Sequence, residues 1–249
     1  MAPDAGIRLT RTPDFSRADI AIERPPVNVL DVESLQRLAH EIALAPPARV
    51  LLLRGLPRAF SAGVEVAEHE PEPSRIAAML SAMRGVLESL LAVDAVTVAV
   101  VSGACLGGGA EIASACDLVL AAEDAKFGFP EIRLACFPPG AAALLPAAVG
   151  AARAADWILT GRSFSGVEAA QAGLAARALP ADALESAADA LAAELTSRGA
   201  RALAAARDLV REPRRRALEH VLPRAEEAYR GLAGSEELRE AVRAFREKR

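Results

Sequence analysis

Val96-Thr97-Val98-Ala99-Val100-Val101-Ser102-Gly103-Ala104-Cys105-Leu106-Gly107-Gly108-Gly109-Ala110-Glu111 is the stretch whose reading decides the fold. Its first six residues are apolar or β-branched with no polar alternation, the pattern of a strand covered on both faces. Glycines follow at once, and Gly103 to Ala115 reads as a glycine turn running into a helix, after which Leu118–Ala122 is a further apolar strand. Upstream, Val50–Leu53 sits between Pro47 and Gly55 as another buried strand. Between the two, Arg75 to Leu91 repeats apolar residues at helical spacing: Ile76, Met79, Leu80, Met83, Val86, Leu87, Leu90. Strand, helix, strand, helix at this rhythm predicts an α/β layered fold with a largely parallel sheet.

On the N-terminal side, Ile7–Thr10 and Ala18–Ile22 read as strands joined by a turn at Pro13–Asp14, and Arg24-Pro25-Pro26 stops the second. Asp31 then caps a helix carrying Leu35, Leu38 and Ile42, which Pro46-Pro47 ends. From Ala141 onward the pattern is almost wholly helical, Ala-rich to about residue 206 and Arg/Glu-rich beyond it. No sequence repeat or long linker divides the chain. The expected organisation is a core over residues 1–195 and a helical C-terminal region over 196–249 that packs on a neighbour or a substrate.

At 249 residues, 52% hydrophobic and 25% charged, the chain is long enough to bury a sizeable core, which excludes collagen-like and disordered classes. Only 4% of residues are aromatic, so a base-stacking surface is poorly supplied. A net charge of −4 gives no global attraction to nucleic acid or anionic membrane. Basic side chains outnumber acidic ones after residue 200, however, so a polyanion would be drawn to that end. There Arg211, Arg214, Arg215 and Arg216 read as a solvated helix face, with RNA binding as the alternative. Cys105, Cys116 and Cys136 form no close metal-ligand pair and are an odd number, which suits buried packing thiols in a reducing compartment. Every long apolar stretch is interrupted before a membrane span is complete, so a soluble cytoplasmic protein is expected.

Two glycine-containing turns follow buried strands: Ala59-Phe60-Ser61-Ala62-Gly63 and Gly103 to Glu111. Where a strand ends and a helix begins, free N–H groups point outward and glycine allows a ligand close to them. Two such turns side by side would aim two donors at one oxygen, as oxyanion stabilisation requires. A glycine run alone serves equally for a tight turn and close packing. Glu111, one turn into an apolar helix, and Glu131, after Phe127-Gly128-Phe129-Pro130, are candidate proton-exchanging carboxylates, since apolar surroundings raise a carboxyl pKa towards neutrality. The plainer readings are a helix-dipole partner for Glu111 and a surface turn for Glu131. His40, His69 and His220 lack metal-site spacing, with His69, close after Glu65, the one worth testing. Ser61 and Ser102 lack the Gly-x-Ser-x-Gly elbow of acyl-enzyme hydrolases.

Taken together, Ala59 to Gly63, Gly103 to Glu111 with Cys116-Asp117, Phe127 to Glu131, Leu159-Thr160-Gly161-Arg162, Ala169 to Leu174 and the terminal Ala244 to Arg249 resemble the enoyl-CoA hydratase/isomerase (crotonase) superfamily over nearly the whole chain. The resemblance implies an α/β spiral of ββα units with a helical C-terminal trimerisation region, assembled as a homotrimer or as a hexamer of paired trimers. It implies an acyl-CoA substrate, neither metal nor redox cofactor, an oxyanion hole formed by the N–H groups of Ala62 and Gly108, and Glu111 and Glu131 as the catalytic pair that distinguishes hydratases. It implies further that Phe245 and Lys248 reach the CoA nucleotide of a neighbouring subunit. After Glu131 the sequence departs from ordinary short-chain members: a glycine-rich run is replaced by Ala135-Cys136-Phe137-Pro138-Pro139-Gly140-Ala141-Ala142, so the loop lining the acyl pocket should differ. With Arg24 to Asp31 and Phe60 to His69, this loop is similar to the cyclohexa-1,5-diene-1-carbonyl-CoA hydratases, which make 6-hydroxycyclohex-1-ene-1-carbonyl-CoA. The competing readings are a short-chain enoyl-CoA hydratase, a double-bond isomerase or hydrolase on the same scaffold, and a non-catalytic CoA- or RNA-binding protein.

Overall fold

The computed structural model describes residues 5–66 and 72–247, without the side chains of Phe245 and Arg246. In chain order the elements are β1 (Ile7–Arg11), β2 (Arg17–Ile22), β3 (Val29–Leu30), α1 (Val32–Ala43), β4 (Val50–Arg54), β5 (Ala59–Ser61), β6 (Gly63–Val64), α2 (Pro73–Ala92), β7 (Val96–Val101), β8 (Ala104–Leu106), α3 (Gly108–Ala115), β9 (Leu118–Ala122) and β10 (Lys126–Gly128). A 3-10 turn (Pro130–Leu134) leads into α4 (Pro139–Val149), α5 (Ala151–Thr160), β11 (Ser163–Ser165), α6 (Gly166–Gln171), β12 (Arg177–Leu179), α7 (Leu184–Ser197), α8 (Ala200–His220), α9 (Leu222–Leu232) and α10 (Glu236–Glu247).

The main sheet has six strands in the order β1-β2-β4-β7-β9-β12. The β1–β2 hairpin is antiparallel and every other neighbour is parallel. Its central strands are the expected apolar runs, with β7 buried along its whole length. The parallel rhythm read from the sequence is therefore the fold's backbone. A smaller sheet, β11-β10-β8-β5, lies beside it. Each of β4, β7 and β9 enters the main sheet, and the strands that follow them, β5, β8 and β10, pair in parallel in the smaller one before the chain turns into a helix. That is a spiral of ββα units, the α/β architecture the resemblance implied.

The local chemistry accounts for the boundaries. Asp31 caps α1, its side chain accepting from Ser34 N–H while Ser34 Oγ accepts from Asp31 N–H. Gly103 to Ala115 is not one glycine-led helix: Ala104–Leu106 is a strand, paired with β5 and β10, and the helix begins at Gly108. The helical stretch after Ala141 is likewise broken by β11 and β12. Three-residue strands are too short to show a period of two.

The C-terminal arginines differ from the expected solvated face. Arg211 has 0% of its surface exposed. It donates to Asp117 Oδ1 at 2.8 Å and Oδ2 at 2.5 Å, and to the carbonyls of Val93 and Ala95 at 2.7 Å each. Arg214 donates to Cys116 O at 2.6 Å and Asp117 Oδ1 at 3.1 Å, and Arg215 to Leu91 O. These side chains clamp α8 onto the end of α2 and the β7 and β9 starts, where carbonyls and a carboxylate need donors. Arg216, paired with Glu212, is exposed as read. The basic patch that an RNA reading needs is mostly spent inward. The three cysteines are buried free thiols, and no helix among the described residues is long and apolar enough to cross a membrane.

Candidate active site

The two glycine turns come together at one cavity of about 550 Å³, bounded by α2, α3, the Pro130–Leu134 turn, the start of α4, α9 and α10. Its wall is largely apolar, with Met79, Leu80, Met83, Leu134 and Phe137 among the side chains. Gly107 N–H donates to Gly128 O at 2.9 Å, which ties the head of α3 to β10. Gly108 is the first residue of α3, so its N–H has no acceptor within the helix.

The other expected amide, that of Ala62, is already engaged. Ala62 lines the cavity, but its N–H donates to Val27 O at 2.9 Å. The Gly63 N–H is held by Ser61 Oγ at 3.1 Å, and the Glu65 N–H by Leu30 O at 2.8 Å. Successive N–H groups alternate sides along a strand, so the one between them, Val64 N–H, turns away from β3. An ideal Cβ on Gly108 would lie 3.6 Å from Val64 N, which places the Val64 and Gly108 amides side by side. The geometry therefore sets the Val64 amide beside that of Gly108, while the Ala62 amide named by the resemblance is engaged by Val27 O and anchors the turn.

The anchoring is done by residues that composition and spacing did not single out. Asn28, fully buried with φ +55°, donates through Nδ2 to Ile22 O, Ala59 O and Phe60 O at 2.8, 3.0 and 3.1 Å. Ser61 Oγ donates to Asn28 O at 2.7 Å. Ser61 is thus a turn fastener, and Ser102 Oγ donates to Leu56 O at 3.3 Å. An Asn between the Pro25-Pro26 stop and the apolar Val29-Leu30 is the sequence signal that points to this clamp.

Glu111 and Glu131 both face the cavity and are 4% and 8% exposed. Glu111 Oε1 accepts from Ala141 N–H at 2.9 Å, at the N-terminus of α4. Burial pushes its carboxyl up, and the α4 amides of Ala141 and Gly140 hold it back. Glu131 Oε2 is buried with no hydrogen-bond partner among the described residues. Burial raises its pKa, and a charge on Glu111 raises it further. Glycine makes room for both groups: an ideal Cβ on Gly107, where φ is +51°, would sit 2.6 Å from Glu131 Oε1, and one on Gly140 would sit 2.9 Å from Glu111 Oε1. The Ala135 to Ala142 stretch enters the cavity with Phe137, Pro138, Pro139 and Gly140, so it lines the pocket as expected and also carries the helix end that holds Glu111.

The remaining candidates lie elsewhere or beyond the description. His40 and His220 are exposed on α1 and α8. His69 and Lys248 fall outside the described residues, as does the Phe245 side chain. Helix α10 lays Ala241 and Ala244 against the cavity of its own chain.

Comparison with known proteins bears on the family and the fold. The family model described as enoyl-CoA hydratase/isomerase matches residues 16–249. The cyclohexa-1,5-dienecarbonyl-CoA hydratase of Thauera aromatica is 39% identical over 164 residues, an alignment that spans 65% of this chain and 63% of that protein. The 2,3-dehydroadipyl-CoA hydratase of Escherichia coli is 33% identical over 236 residues, 92% of each chain. The crystal structure of an enoyl-CoA hydratase from Mycobacterium avium subsp. paratuberculosis superposes with a TM-score of 0.89 at 30% identity, covering 99% of this chain and 98% of that one. With a family model spanning nearly the whole length, this chain belongs to the enoyl-CoA hydratase/isomerase family.

Proposed function

We propose that the protein adds water across the double bond of an unsaturated acyl-CoA thioester. Family membership makes it an enoyl-CoA hydratase-type lyase acting on acyl-CoA. The observation that carries the finer reading is the pair of buried carboxylates beside two adjacent N–H groups in one apolar cavity. The thioester oxygen accepts from Val64 and Gly108 N–H and gathers negative charge as water attacks the β-carbon. By analogy with acyl transfer each such donor contributes about 2.7–4 kcal/mol. Glu111, held by the α4 amides, is the more readily ionised of the two and takes the proton of the attacking water. Glu131, with an unpartnered oxygen beside a second carboxylate, holds a proton at neutral pH and delivers it to the α-carbon. Water is consumed, both its protons are accounted for, and the pair returns to its starting state by passing one proton across. This chemistry asks no metal or redox group of the site.

As substrate we propose cyclohexa-1,5-diene-1-carbonyl-CoA, giving 6-hydroxycyclohex-1-ene-1-carbonyl-CoA. The similarity to the Thauera enzyme and the Phe137–Pro138–Pro139 lining support it. The runner-up is a short-chain enoyl-CoA. Phe245 and Lys248 are proposed as CoA contacts on the resemblance. A homotrimer or hexamer is proposed as the assembly, for which the exposed Leu209 and Val210 on α8 offer apolar surface. A product-resolved assay with cyclic dienoyl-, crotonyl- and aromatic acyl-CoAs tests the reading. Hydration adds one water, isomerisation leaves the mass unchanged and hydrolysis frees CoA. Turnover of crotonyl-CoA with none of the cyclic diene overturns the substrate assignment, and mass-neutral conversion overturns the reaction.

A further inference from the structure

The cavity lining is largely apolar, and its charged side chains are the glutamate pair, Arg133, and the pair formed by Arg84 of α2 and Glu226 of α9. Arg84 Nε donates to Glu226 Oε1 at 2.9 Å and its terminal nitrogen donates to Oε2, a two-pronged pair. Arg230 donates to Glu226 Oε2 at 3.2 Å, one turn further along α9. Glu226 is almost wholly buried, whereas the Arg84 side chain keeps about a third of its surface exposed. The exposed side faces a second cavity of about 380 Å³, lined by Arg84, Glu88, Leu91, Arg215 and Leu218 among others. Arg84 is the residue the two cavities have in common.

We propose that the Arg84–Glu226 pair is the end wall that limits the acyl group, and that specificity for small acyl chains resides there. The inference rests on the acyl-CoA reading of the cavity. An acyl group anchored at the Val64 and Gly108 amides extends along Met79, Met83 and Leu80 towards α9, and meets this pair before it can reach the second cavity. A chain that grew past it would have to displace a guanidinium from a buried carboxylate, leaving charge unpaired. A distal carboxylate on the substrate meets a guanidinium whose Nε and one terminal nitrogen already donate to Glu226, and it would bring a like charge beside that buried carboxylate. The wall therefore favours short or compact neutral acyl groups over long chains and over diacid-derived ones.

The test is the paired variant Arg84→Ala/Glu226→Ala, which removes both sides of the wall and leaves no orphaned charge between them. Affinity for butyryl-, octanoyl- and dodecanoyl-CoA is read by calorimetry, and kcat/KM for the corresponding 2-enoyl-CoAs beside it. Unmodified protein should lose affinity from butyryl to dodecanoyl. The variant should reverse the order, gaining about fourfold for each methylene that enters the second cavity, so that the dodecanoyl-to-butyryl ratio rises more than tenfold. Arg84→Met/Glu226→Met keeps the bulk without the charge and should leave the ratio low. If the alanine pair does not fold, Arg84→Ala alone carries the test, because Arg230 still neutralises Glu226. An unchanged ratio in a folded alanine variant, or an equal rise in the methionine variant, overturns the wall. Binding with no hydration of any substrate would instead overturn the hydratase reading, and the affinity ratios would still support or overturn the wall by the same criteria.

Discussion

Replacing Gly107 with alanine should silence the site without unfolding the protein. The residue has φ +51°, a region that costs an L-residue about 1–3 kcal/mol. Its new methyl would also stand 2.6 Å from Glu131 Oε1, where ordinary contact begins at 3.4 Å. The carboxylate must therefore give way by roughly 0.8 Å, and a misplacement of about 1 Å at a reacting group costs on the order of 10²-fold. Steady-state hydration of crotonyl-CoA should show kcat lower by about two orders of magnitude, with a Tm lower by a few degrees. Gly150→Ala is the matched control: φ there is +79° but nothing lies within 4 Å of the added carbon, so backbone strain appears alone. It should lose comparable stability and keep its turnover. If Gly107→Ala is folded and turns over at the unmodified rate, the carboxylate packed against Gly107 is not the acid of the reaction.

The buried pair also sets the pH dependence. Burial lifts both carboxyls from the ordinary carboxylate range they have when unfolded towards neutrality, and a charge on Glu111 lifts Glu131 further. The folded state then binds more protons than the unfolded one between those ranges, so stability falls as pH rises through this window. Glu131→Gln should accordingly raise stability in urea titrations at pH 8 and give no gain at pH 4, and kcat/KM should follow a bell centred near neutrality. Asp117→Asn, which leaves the buried Arg211 short of its carboxylate, should cost about 3–5 kcal/mol in denaturant titrations. In amide-resolved NMR, a saturated acyl-CoA should move the Val64 and Gly108 N–H signals downfield and leave that of Ala62, bonded to Val27 O, near its place.

What was legible in the sequence were the features with a long or strong signature. The apolar runs of β4, β7 and β9 and the periodicity of α2 give the parallel sheet. The glycines before α3 point to one of the two proposed oxyanion donors, and the resemblance names both glutamates. The short strands β5, β8 and β10, which complete each ββα unit, carry three residues apiece and no pattern. The proposal of Val64 rather than Ala62 as donor depends on which side of a two-residue strand each amide faces, which the pairing with β3, far away in sequence, determines. The arginines of α8 look like a solvated face because helical spacing alone does not show that Asp117 and the carbonyls of Leu91, Val93 and Ala95 wait opposite them. Tyr229 and Glu226 of α9 reach the cavity only through the packing of α9 on α4 and α2.

The most direct measurement is single-turnover hydration of crotonyl-CoA in ¹⁸O-enriched water by the unmodified protein and by Glu111→Gln, Glu131→Gln and the double variant, with products resolved by mass. The unmodified protein should yield a hydroxyacyl-CoA carrying one labelled oxygen. Each single variant should lose about 10²–10⁴-fold in rate, and the double variant should fall little further, because the two carboxylates work as one unit. Labelled product formed at the unmodified rate by either single variant would contradict the account.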